Sequence, residues 1–166
     1  MCCLNSAVAE ISGLPQKQPF VATEFPTLIR NPQAKVIVLD AERTFLGKVT
    51  LIHAENHRPA DRPSRERLSR HYSDVARIFC SELGAKAVAN ITLLDQVVEH
   101  KRIFFPSGWA HYDTAKSGSM NLASEAEAEK RLRSDYESMR EMFFGDVENF
   151  DAEIATIREL QTVLNF

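Results

Sequence analysis

The sequence predicts a mainly α fold: a helical bundle of about five helices entered by a short extended N-terminal segment. Three observations predict it. Apolar residues recur at three- and four-residue spacing in five stretches after residue 40. Glycine is scarce, at 6, and proline modest, at 7, in 166 residues, which excludes collagen-like and low-complexity classes. Only one run, Lys35–Leu39 (KVIVL), is short, apolar and β-branched in the manner of a strand. The expected domains are an irregular N-terminal segment over 1–34 and a helical domain over 35–166.

Each element has its own local reason. Pro15, Pro19, Pro26 and Pro32 are too closely spaced for a long helix, which leaves the first segment irregular. Asp40 can cap a first helix with Glu42 in its first turn. Phe45, Leu46, Val49, Ile52 and His53 then hold helical spacing to about Asn56. Arg58–Ser69 reads as a proline- and arginine-rich loop. A second helix is expected over Leu68–Leu83, with Tyr72, Val75, Ile78 and Phe79 inward and Gly84 ending it. A third is expected over Asn90–Phe105, carrying Leu93, Leu94, Val97, Val98, Lys101, Phe104 and Phe105, followed by a Pro106–Gly118 loop with Trp109 and Tyr112. Ser124 and Glu127 form an S-x-x-E capping box for a fourth helix. Its inward face is Leu132, Tyr136, Met139 and Phe143, and Gly145 closes it. Phe150, Ile154, Ile157, Leu160 and Leu164 mark a fifth helix.

Composition bounds the function. Hydrophobic residues are 44% and charged residues 26%, a globular balance. No apolar run is long enough to span a bilayer, and no basic stretch precedes an apolar one as in a secretory signal. Cys2 and Cys3 are adjacent and Cys80 stands alone, which suggests neither a disulfide framework nor a zinc ribbon. A reducing, cytoplasmic compartment is the expectation. The net charge of −3 conceals two opposed halves. Residues 1–120 hold 15 Lys/Arg against 12 Asp/Glu, and residues 121–166 hold 5 against 11. Arg58, Arg62, Arg65, Arg67, Arg70 and Arg77 crowd one stretch without a lysine, a bias towards planar contacts with phosphate or carboxylate. The same arginines could equally form a solvated loop paired with the acidic C-terminal helices.

Single motifs leave alternatives open. His53 and His57 at i, i+4 have the spacing of two metal ligands, but the order is H-A-E-N-H and no third ligand follows nearby. A helix end facing the arginine loop is the other reading. Lys48 flanks an apolar face, where a lysine either snorkels or serves as a point charge for a phosphate. Asp74 either pairs with Arg70 at i, i+4 or points into a cleft beside Lys48. Met139, Met142, Phe143 and Phe144 belong to core or interface. No glycine-rich phosphate loop, no G-x-S-x-G elbow and no D-x-D pair for magnesium occurs.

Several segments taken in order are more specific. Leu39–Lys48 reads LDAERTFLGK, Leu51–Pro59 LIHAENHRP, Arg70–Val75 RHYSDV, Val97–Phe105 VVEHKRIFF and Asp135–Gly145 DYESMREMFFG, with Phe150 beyond. Together they resemble the C-terminal half of abortive-infection nucleotidyltransferases of AbiEii/AbiGii type, the toxins of type IV toxin–antitoxin systems, over about residues 20–166. The resemblance implies a helical part that closes the cleft of an α/β core, with transfer of a nucleotide from an NTP to an RNA or protein acceptor. The family's R-T-F-x-E-K motif falls on Arg43, Thr44, Phe45 and Lys48, whose lysine would reach the nucleotide phosphates. Its R-x-Y-x-D motif falls on Arg70, Tyr72 and Asp74. The implied catalytic residues are therefore Lys48 and Asp74. Arg43, Arg70 and Tyr72, with Arg62 and Arg65 of the loop, would bind substrate. Mg2+ and NTP are implied as cofactors, and an antitoxin or a separate catalytic core as partners, with a homo-oligomer as a further expectation. Gly47 stands where the family has glutamate, which weakens the helix by roughly 1 kcal/mol. The family's α/β core and its magnesium carboxylates have no counterpart in these residues. The expectation is a truncated member or one domain of a split system, inactive alone. A non-catalytic helical module that binds an antitoxin or RNA is the alternative.

Overall fold

Six α-helices and one 3-10 turn carry the structure, a computed structural model that describes residues 24–25, 27–28, 39–142 and 149–166. The chain divides into two units, Met1–Asp40 and Ala41–Phe166. The second contains all six helices: α1 Ala41–Asn56, α2 Ser69–Phe79, α3 Glu82–Ala89, α4 Ile91–Phe104, α5 Ala126–Met139 and α6 Phe150–Leu164, with the 3-10 turn Arg140–Met142 after α5. Among the described residues there is no strand. The expected strand at Lys35–Leu39 lies outside them except for Leu39, as do Phe143, Phe144 and Gly145.

The two central helices are α1 and α2, which touch all the others between them. In α1, Phe45, Leu46, Val49 and Ile52 are fully buried. In α2, Tyr72, Val75 and Ala76 are buried. These two helices pack on each other, α3 and α4 lie against α1, and α5 and α6 lie against α2. Leu94, Val97 and Val98 of α4 close one side, and Phe150, Ile154, Ile157, Leu160 and Leu164 of α6 close the other. Each such side chain contributes roughly 1.5–3 kcal/mol when fully buried.

The expected second helix is two helices. α2 ends at Phe79, and Ser81 turns the chain: its hydroxyl donates to the Ile78 carbonyl at 2.6 Å and accepts the Gly84 N–H at 3.4 Å, capping α3. Gly84 therefore lies inside α3 rather than ending a helix. It is a close-approach glycine, since a Cβ there would meet Ile78 O at 2.4 Å and Phe79 Cα at 2.5 Å. Asn90 caps α4 by accepting the Leu93 N–H at 3.1 Å. The expected inward face of α4 is cut short. Ile103, Phe104 and Phe105 are exposed by 56–61%.

The S-x-x-E box does not cap α5. Glu125 holds the N-cap position without a side-chain cap, and Ser124 is drawn instead into bonds with Tyr72 and Asn56. The cap that matters is long-range. The Asp135 carboxylate of α5 accepts the Arg67 N–H, the Ser69 N–H and the Ser69 hydroxyl at 2.6–2.8 Å, so α5 caps the start of α2. Arg67 adopts φ +57° at this junction.

The connection between α4 and α5 lacks regular structure yet contributes Ala115, Met120 and Leu122 to the core. Side chains hold it. Gln161 Oε1 accepts the N–H groups of Leu122 and Ala123, and Asn165 clasps Met120 through both its N–H and its carbonyl. No helix among the described residues is long and apolar enough to cross a membrane.

Candidate functional site

Lys48 and Asp74 meet where α1 crosses α2. Lys48 precedes the buried Val49 and Asp74 precedes the buried Val75, so each sits at the rim of its helix's apolar face. Packing the two faces together brings the rims together, and the ammonium and carboxylate form an ion pair. The side chains stay 27% and 47% exposed, so the pair is open to solvent. Asp74 thus faces Lys48 across the interface; a pair with Arg70 along its own helix is not what it forms.

His71 joins this group. Burial lowers its pKa, and Lys48, Arg70 and Arg65 lower it further while Asp74 opposes them. The imidazole therefore stays neutral among several cations. Its Nδ1 is buried and has no hydrogen-bond partner among the described residues. His71 stands between Arg70 and Tyr72 in the sequence, but nothing in the spacing of RHYSD marks it out. Arg43 is placed differently. Five residues of α-helix turn it about 140° from Lys48, so the two do not share a face.

Arg62, Arg65 and Tyr72 belong to a second feature, a cavity of about 330 Å3 between the C-terminal end of α1, the Arg58–Leu68 connection and the N-terminal half of α5. Neither Lys48 nor Asp74 lines it. The Tyr72 ring is buried and only its hydroxyl reaches polar company. It donates to Asn56 Oδ1 at 3.1 Å and lies 3.0 Å from Ser124 Oγ. Burial pushes its pKa up to about 12, so the phenol stays protonated. Arg58 makes a two-pronged contact with Glu55 at 2.6 and 2.9 Å, and its guanidinium stacks 4.4 Å from the Trp109 ring. Arg65 reaches Glu55 at 3.8 Å. Arg58 and Arg65 therefore pair with α1, and the acidic C-terminal helices answer the loop through Asp135, which takes its backbone.

His53 and His57 do not form a metal pair. His53 is fully buried; its Nε2–H donates to the His111 carbonyl at 3.0 Å and its Nδ1 accepts the Asn121 N–H at 3.0 Å. Both nitrogens are used, so this histidine ties α1 to the α4–α5 connection. Burial, more than its histidine neighbours, lowers its pKa. His57 packs between His53 and His111 with ring centroids 4.7 Å away on each side. Its own pKa is also lowered, chiefly by burial. The two rings thus pack on His111, and His57, at the end of α1, also lines the cavity beside the arginine loop.

Among the described residues no group of three His, Cys, Asp or Glu side chains could hold a metal ion. Magnesium requires converging oxygen ligands, and the carboxylate that meets Lys48 is already engaged with it. The described residues do not fit that ion. What they can do is present fixed positive charge, at Lys48 beside Asp74 and at the arginines of the cavity.

A family model described as nucleotidyl transferase AbiEii toxin, type IV TA system, matches residues 9–164. No curated protein and no solved structure gives a match.

Proposed function

The chain belongs to the AbiEii nucleotidyl transferase toxin family of type IV toxin–antitoxin systems, and from that premise we propose that its helical unit supplies the phosphate-facing cations of a nucleotide-transfer site. The juxtaposition of Lys48 and Asp74, 26 residues apart and drawn from two separate motifs, carries this reading. In the reaction an acceptor oxygen attacks the α-phosphorus of an NTP and pyrophosphate leaves. Negative charge accumulates on the leaving phosphates, where the Lys48 ammonium is a point charge that needs no rearrangement. Asp74 orients that ammonium in the absence of substrate and yields it as phosphate oxygens arrive. Arg70, one helical turn before Asp74, adds a second cation on the same face. Mg2+ is implied by the family, and its ligands belong outside the described residues. The site is therefore completed by an acidic core, and this helical unit is inactive without it.

The test is transfer of labelled NTPs to total RNA and to protein in the presence of magnesium, by the chain alone and with a candidate core or antitoxin expressed from the adjacent gene. Lys48→Ala should lower transfer about 100-fold or more, the scale of losing one preorganised electrostatic contact. Absence of transfer in every mixture, or full activity of Lys48→Ala, overturns the reading.

The alternative is a non-catalytic module that binds an antitoxin or RNA. The arginine loop favours it for RNA, and the exposed Ile103, Phe104 and Phe105 favour it for a protein partner or a second copy of the chain. RNA affinity that falls with salt in the wild type and less steeply in Arg62→Ala/Arg65→Ala would support it. A monodisperse monomer by light scattering, with no uptake of a hydrophobic dye, would argue against the protein partner.

A further inference from the structure

We propose that the cavity between α1, the Arg58–Leu68 connection and α5 is a nucleotide-binding pocket separate from the Lys48–Asp74 site. Its volume of about 330 Å3 lies at the lower end of small-molecule sites. Its cations are all arginines. Arg58 and Arg65 are occupied by Glu55, but Arg62 and Arg131 line the cavity from two different segments and neither makes an ion pair among the described residues. Two free guanidiniums from separate walls suit a phosphate better than a second side chain, because each presents a planar fork of donors.

The rest of the lining fits the remainder of a nucleotide. Leu68, Ala128 and Leu132 offer an apolar wall to a flat ring. Asn56, Tyr72 and Ser124 form one connected polar network at the same cavity, which suits a base edge or a ribose hydroxyl. His57, also in the lining, adds the edge of a ring held between His53 and His111. The negative groups present are largely committed. Glu55 is held by Arg58, and Asp135 accepts three bonds from the start of α2. Glu125 is exposed. The backbone of the connection that carries Arg62 is held at two places: the Arg62 N–H donates to the Pro59 carbonyl at 3.0 Å and the Arg67 N–H donates to Asp135 at 2.8 Å. The pocket is thus built before any ligand enters, which limits the ordering cost of binding.

The nucleotide can be free or part of an RNA strand, and binding measurements separate the two. Trp109 is the one tryptophan and stacks on Arg58 of the lining, so its fluorescence reports on the cavity. Titrate the chain with the four nucleoside monophosphates, adenosine, inorganic phosphate and a single-stranded hexaribonucleotide. At least one monophosphate should bind at least tenfold more tightly than adenosine and than inorganic phosphate. Arg62→Ala/Arg131→Ala should weaken that binding at least tenfold, Arg62→Lys/Arg131→Lys by less, and Lys48→Ala by under twofold. A hexamer that binds more tightly than the best monophosphate assigns the pocket to a strand; an equal or weaker one assigns it to a free nucleotide. Monophosphate binding that is equal in the wild type and the double alanine variant overturns the proposal. So does inorganic phosphate that binds as tightly as every monophosphate. Loss of transfer in Lys48→Ala with intact monophosphate binding would leave this pocket standing whatever the outcome for the transfer site.

Discussion

Two helical glycines should respond in opposite directions to the same substitution. Gly47 lies in α1 with no described residue within 4 Å of the place a Cβ would take, whereas Gly84 lies in α3 against the end of α2. Alanine in a helix interior is favoured over glycine by about 1 kcal/mol, so Gly47→Ala should stabilise the fold by roughly that amount. At Gly84 the same gain is outweighed. The new Cβ would fall 2.4 Å from Ile78 O, 2.5 Å from Phe79 Cα and 2.6 Å from Phe79 O, where ordinary contact begins at 3.4 Å. All three are backbone atoms and cannot rotate aside, so α3 must move about 1 Å from α2. Overpacking of this kind costs about 3 kcal/mol at the upper end of its usual range, which leaves a net loss of about 2 kcal/mol. With a urea slope of about 2 kcal/mol per molar, the midpoint should fall by about 1 M in Gly84→Ala and rise by about 0.5 M in Gly47→Ala. Circular dichroism in urea reads both shifts. Midpoints that move the same way, or an unchanged Gly84→Ala, would refute the packing described for α3.

Asp135→Ala removes the acceptor for three donors at the start of α2 and should cost about 2 kcal/mol, the upper range for a helix cap; thermal melting checks it, and a change of under about 0.5 kcal/mol would contradict the long-range cap. His53, His57 and His71 all have pKa values lowered by burial from 6.5. The unfolded chain then binds more protons below that value, so stability is full above about pH 6.5 and declines as pH falls through it. Urea midpoints at pH 7.5, 6.0 and 5.0 should fall in that order, less steeply in His53→Gln; a flat series would contradict the neutral buried state.

The sequence displayed the helices whose apolar spacing coincides with a buried face. Phe45 to Ile52 in α1 and Phe150 to Leu164 in α6 are buried where their spacing places them. It displayed less where a polar group has two possible partners. Ser124 with Glu127 satisfies the local capping pattern, but the Tyr72 and Asn56 side chains compete for the same hydroxyl and prevail. Gly84 follows a helical run as a terminator would, and only the approach of α2 reveals its role. The Lys48–Asp74 contact was legible as one of two options for each residue, since spacing within a helix says nothing about the helix that crosses it. The cavity was not legible at all. Arg62 and Arg131 are 69 positions apart, and the wall between them exists only once α5 has docked on α2.

The irregular connection between α4 and α5 has a dynamic consequence. The N–H groups of Gly118, Met120, Asn121, Leu122 and Ala123 all donate to groups on other segments: the Leu164 carbonyl, Asn165, His53 and Gln161. A loop normally exchanges its amide hydrogens with solvent quickly. These five should exchange slowly and, for the four whose acceptors lie at the end of α6, in step with one another. Release of that helix end would expose them at once. Their exchange rate therefore clocks the opening of the C-terminal helix, and a few residues at the end of the chain govern the order of a segment some forty positions earlier.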